Sequence, residues 1–108
     1  MLYLNVSDTV MSKSGKSIDH YFSLHLGGFS EDIKSVNLMI EELPLIHQHG
    51  VLYRCELQVI PRSGDVIKHT VDREHCISAI EHSFAKAKRA MHRRVRGLTF
   101  QQDVRLLG

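Results

Sequence analysis

Between Lys86 and Arg96 the chain carries six basic side chains, Lys86, Lys88, Arg89, Arg93, Arg94 and Arg96, and no acid. The formal net charge of all 108 residues is only +2, so the remainder carries −4. One end is a concentrated cation on a mildly acidic body. On a helix, at roughly 100° per residue, Lys86, Arg89, Arg93 and Arg96 fall within about 80° of one another, and His82 extends the line one turn earlier. Cations spaced in this way form a ridge that can follow a phosphate backbone and displace its condensed counterions, which gives tight, salt-dependent binding. Plainer outlets compete. Lys and Arg gather at helix C-termini because of the macrodipole, and many charged faces are simply solvated. A solvated face usually interleaves acids to make i, i+4 pairs, and this one has none. A membrane surface or an acidic protein is the remaining partner class for such a ridge.

No other grouping of reactive residues matches it. Of eight histidines, the close groupings are His47-Gln48-His49 and His75-Cys76, without the CxxC or HExxH spacing that marks a zinc site. Cys55 and Cys76 are too few for a disulfide framework and read as small buried hydrophobes. The carboxylates are scattered, with no pair positioned for acid–base work. Gly27-Gly28 and Ser63-Gly64 are turn chemistry, not a phosphate-cradling loop. The expectation is a protein that is not an enzyme and takes no cofactor, no metal and no small-molecule substrate.

The elements that must position the ridge follow from periodicity. Leu2, Leu4 and Val6 alternate with polar residues, as in a half-buried strand. Ser12 to Ser17 reads as a loop, with Ser17 capping a short helix whose stripe is Ile18, Tyr21, Phe22 and Leu26, ended by Gly27-Gly28. Val36, Leu38 and Ile40 define a second strand, and a loop spans Pro44 to Gly50. Tyr53, Cys55, Leu57 and Val59 form the inner face of a third strand. Pro61-Arg62-Ser63-Gly64 turns the chain into a fourth, with Ile67 and Val71 inward. Asp72 is a plausible N-cap for the last helix, whose stripe of Ile77, Ile80, Phe84, Ala87, Met91 and Val95 runs to Gly97.

The resulting order, β-α-β-β-β-α, predicts an α+β two-layer sandwich: a four-stranded sheet with both helices on one face. The domain is expected over residues 1–97, followed by a C-terminal tail, 98–108, apolar enough to pack on something. The sheet face away from the helices would show Tyr3, Asn5, Asn37, Met39, Arg54, Gln58, Lys68 and Thr70, without the aromatic cluster of an RNA-recognition motif. A hydrophobic content of 43% and no Trp fit an ordinary globular chain. No apolar run is long enough for a membrane helix, and the first residues lack a signal peptide's basic and apolar regions. The expected location is the cytoplasm, with no membrane partner.

Three stretches resemble the ribosome hibernation-promoting factor family (ribosomal subunit interface proteins, ribosome-associated translation inhibitors). Leu26-Gly27-Gly28-Phe29-Ser30-Glu31-Asp32-Ile33-Lys34-Ser35-Val36 is similar to that family's L-x-R-F-x-D-x-I-x-x-V junction. The segment from Gly50 to Val59, with Ser63-Gly64-Asp65-Val66-Ile67, is similar to its third strand and hairpin. Ala79-Ile80-Glu81 with the spaced basics after it is similar to its second helix. The resemblance implies binding to the small ribosomal subunit in the groove between head and body, and a role in blocking initiation and preserving idle ribosomes. It would make Lys86, Arg89 and Arg93 contacts to rRNA. Arg96, His82, Lys88 and Arg94 complete the candidate rRNA-binding set. Gly27-Gly28 replaces a basic residue of the family pattern, and His75 and Ile77 stand where Asp and Tyr are common, so a short-form or divergent member is expected. Two other readings stay open: a protein-interaction module or homodimer formed through Phe100, Leu106 and Leu107 of the tail, and a general binder of double-stranded RNA.

Overall fold

The computed structural model describes the backbone of residues 2–45 and 50–107, and the side chains of 2–45 and 50–96. In chain order the elements are β1 (Leu2–Asn5), α1 (Asp8–Leu26), a 3-10 turn (Gly27–Phe29), β2 (Ile33–Pro44), β3 (Val51–Pro61), β4 (Ile67–Arg73) and α2 (Cys76–Leu107). The fold is α+β. The strands lie in the order β1-β2-β3-β4. β1 runs parallel to β2, as the intervening helix requires, while β2–β3 and β3–β4 are antiparallel.

Alternation within the strands puts Val36, Leu38, Ile40, Cys55, Leu57, Val59, Ile67 and Val71 on one face, all buried. Both helices cover that face. α1 contributes Val10, Ile18 and Leu26, and α2 contributes Ala79, Ile80, Phe84, Ala87 and Met91. Phe84 is fully buried and meets Phe22 edge-on, ring centroids 6.0 Å apart at 67°, which ties the helices together. Cys55 is free and buried in this core; burial raises its thiol pKa to about 12, so it is inert packing.

α1 departs from the sequence expectation. The Ser12–Ser17 segment is not a loop but the second and third turns of a 19-residue helix. Ser7, not Ser17, is the N-cap: its Oγ accepts from the Val10 backbone N–H at 3.2 Å. The inward side of those turns is Val10, Ser14 and Ile18, and the Ser14 hydroxyl reaches Cys76 Sγ, at the start of α2, at 3.7 Å. A small residue there lets the helices approach. Replacing the cap, Ser7→Ala, is expected to lower stability by about 1 kcal/mol in urea titrations, since one orphan N–H loses its acceptor.

α2 differs at both ends. Asp72 is not its cap; it lies in β4 opposite Arg54, and the pair joins through two hydrogen bonds of 2.9 and 3.0 Å on the exposed side of the sheet. The helix begins at Cys76 and continues through Gly97 to Leu107, so residues 98–107 extend it in backbone. The two ends of the expected stripe, Ile77 and Val95, are 46% and 37% exposed.

Candidate nucleic-acid interface

The buried stripe of α2 fixes which way its basic residues point. With Ile80, Phe84, Ala87 and Met91 seated on the sheet, His82, Lys86, Arg89, Arg93 and Arg96 are all on the solvent side. Among the described residues the salt bridges are Arg54–Asp72 and Lys68–Glu56, and neither involves the ridge. Lys86, Arg89 and Arg93 therefore stand as like charges at i, i+3 and i, i+4, an arrangement that costs about 0.2–0.5 kcal/mol per neighbouring pair. The macrodipole does not account for them. Its effect fades within the last turn, and the helix ends at Leu107, well beyond Arg93.

Two of the six basic residues lie elsewhere. Arg94 turns toward the β3–β4 hairpin, where its Nη1 donates to the backbone carbonyl of Asp65. Its guanidinium packs over Gly64, 3.6 Å from where a Cβ would sit, and Gly64 has φ +94°, the conformation glycine adopts freely. Lys88 is half-buried on the α1 side, close enough to His25 to depress its pKa. The ridge proper is thus His82, Lys86, Arg89, Arg93 and Arg96.

The ridge borders β4, an edge strand. A groove of about 250 Å³ runs between them, lined by Thr70, Val71, Asp72, Arg73, His82, Lys86 and Arg89. A second hollow of about 300 Å³, lined by Arg89, His92, Arg93 and Arg96, continues along the helix. Arg89 belongs to both, so the cations flank one path. Thr70 and Arg73 join the site only through the approach of β4 to α2, and no local sequence signal marks them. Asp72 also lines the groove, but Arg54 already pairs with it and holds its carboxyl below the usual range.

Two histidines register the field of these cations. Burial, followed by Lys86, Arg93 and Arg89, pushes His69 below its ordinary pKa. His25, stacked on Tyr21 at 6.1 Å, is lowered by burial first and then by Lys88. Among the described residues, neither ring nitrogen of His25, nor Nε2 of His69, has a hydrogen-bond partner. Both imidazoles take up a proton less readily in the fold than in the unfolded chain, whose histidines titrate at about pH 6.5. Stability should therefore hold above that pH and fall as pH drops through the lowered pKa values. A series of urea midpoints from about pH 7.5 to 5 checks this, and His69→Gln should flatten the profile.

Among the described residues no group of three or more metal-ligating side chains exists, and no helix is long and apolar enough to cross a membrane. His47 and His49 lie outside the described residues, as do the side chains of Phe100, Leu106 and Leu107.

No protein-family description matches this chain, and no curated protein is significantly similar to it. Among solved structures, rare lipoprotein B from Shewanella oneidensis aligns over 94% of this chain and 98% of its own, at 12% identity and a TM-score of 0.32. That likeness is too slight to bear on fold or function.

Proposed function

We propose that this chain is a non-enzymatic, cytoplasmic regulator of translation that lays the α2 ridge on the rRNA of the small ribosomal subunit and holds idle ribosomes inactive. The observation that carries the reading is the run of Lys86, Arg89 and Arg93, without an acid among them, on the solvent side of a helix that continues far past them. Repelling charges in mid-helix reduce stability slightly, and a polyanion lying along them turns that cost into affinity. The resemblance in the junction, hairpin and second-helix segments supplies the kind of RNA. The groove beside β4 adds Arg73 and the Thr70 hydroxyl, groups suited to phosphate oxygens.

Purified small subunits mixed with the protein and spun through a sucrose gradient provide the test. The protein should travel with the subunit at low salt and be released as salt rises. A protein that stays at the top of the gradient at the lowest salt rules the proposal out. A general binder of double-stranded RNA would instead bind bare duplex as tightly as it binds the subunit.

A further inference from the structure

The outer face of the sheet carries a second arrangement that the ridge does not use. Strand register places Tyr3 beside Asn37, Asn37 beside Gln58, and Gln58 beside Lys68, so the four side chains form one row across all four strands. Tyr3 is 56% exposed at one end. In the middle, Asn37 Nδ2 donates to Gln58 Oε1 at 3.1 Å. That bond orients both amides and leaves Asn37 Oδ1 as the remaining acceptor and Gln58 Nε2 as the remaining donor of the pair. Lys68 closes the row, held at 2.6 Å by Glu56 from the neighbouring row. A depression of about 340 Å³ overlies these residues, with Met39 in its floor.

We infer that this row is a binding subsite for one unpaired nucleotide of an RNA strand, its base stacked on Tyr3 and its edge read by the Asn37–Gln58 pair. Every nucleobase offers a π-face and an edge on which a donor adjoins an acceptor, the complement of the two free amide groups. The depression falls in the size range of small-ligand sites. β4 connects the two surfaces: Lys68 borders the depression, and Thr70, two residues on, borders the groove beneath Lys86 and Arg89. Two strand residues span roughly 7 Å, and Tyr3 lies three strand spacings, roughly 14 Å, beyond Lys68, so an RNA strand leaving the ridge crosses the β4 edge and reaches Tyr3 in about three nucleotides. Glu56 neutralises Lys68, so the subsite grips the base and leaves phosphate neutralisation to the ridge. The subsite rests on the ridge reading for its RNA source, and its chemistry is separate.

A blunt RNA duplex and the same duplex with a three-nucleotide unpaired tail are the probes, supplemented by a free single-stranded tetranucleotide. The parent protein should bind the tailed duplex at least about fivefold more tightly than the blunt one, the lower end of the range for stacking one base. Tyr3→Ala should erase that advantage and leave blunt-duplex affinity and its salt slope unchanged. The side-chain amide NMR signals of Asn37 and Gln58 should shift with the tetranucleotide. Equal affinity for the two duplexes, or amide signals unmoved by the tetranucleotide, overturns the subsite. Failure of the ridge reads out differently: blunt-duplex binding becomes insensitive to Arg89→Glu, whatever the tail and the amide signals do. Tyr3 is an exposed edge-strand residue, and an unchanged circular dichroism melt confirms that its variant is folded.

Discussion

Arg89→Glu is expected to leave the protein at least as stable as the parent while weakening its hold on small ribosomal subunits. Arg89 has Lys86 three residues before it and Arg93 four residues after it, all on the solvent side of α2. Each like-charge neighbour pair costs about 0.2–0.5 kcal/mol, and reversing the central charge turns both pairs attractive, a gain of about 1 kcal/mol in unfolding free energy. Affinity moves the other way. For every phosphate that is no longer neutralised, the slope of log affinity against log salt should flatten by about 0.7–0.9. The triple variant Lys86→Glu, Arg89→Glu, Arg93→Glu should therefore give a slope shallower by about two to three units. A residue whose removal improves stability and harms binding is held for binding. An unchanged slope in the triple variant would mean that the ridge is a solvated face.

The second large effect lies on the opposite side of the same helix. Phe84 has no exposed surface and is packed edge-on against Phe22. Phe84→Ala removes the ring and leaves a cavity that the sheet beneath cannot close, at a cost of about 3–5 kcal/mol. Domains of this size are stable by only about 5–15 kcal/mol, so a large share of the total goes. Urea titration followed by circular dichroism measures it. Ile77→Ala, on the same sequence stripe but 46% exposed, should cost under about 1 kcal/mol. Equal losses at the two positions would place the core elsewhere. With folded protein selected at low temperature, the Phe84 variant should keep the parent's salt slope, because the cations of the ridge are untouched.

That contrast shows where sequence information ends. The strand alternation of Val36, Leu38 and Ile40, and of Cys55, Leu57 and Val59, is a period of two residues. The run Ile80, Phe84, Ala87 and Met91 is a helical period, and both signals sit within a few residues of chain. They determined the element order, the α+β class, the inward faces and the direction of the basic ridge, since a helix that buries one stripe must present the other.

Tertiary structure decided what depends on partners far away in the chain. Ser12 to Ser17 has the composition of a loop, yet it is helical because Val10, Ser14 and Ile18 face the core and Ser14 meets Cys76, 62 residues later. Asp72 has the chemistry of a cap, but the pairing of β4 with β3 and the guanidinium of Arg54 keep it in the strand. Arg94 reads as one more candidate rRNA contact until the hairpin carbonyl of Asp65 and the open surface of Gly64 claim it. The row from Tyr3 to Lys68 draws one residue from each strand, and only strand register brings the four together. Periodicity is a local property of the chain. Which partner meets each face is set by the closure of long loops and the sharing of one core, and no window of sequence contains both ends of such a pairing.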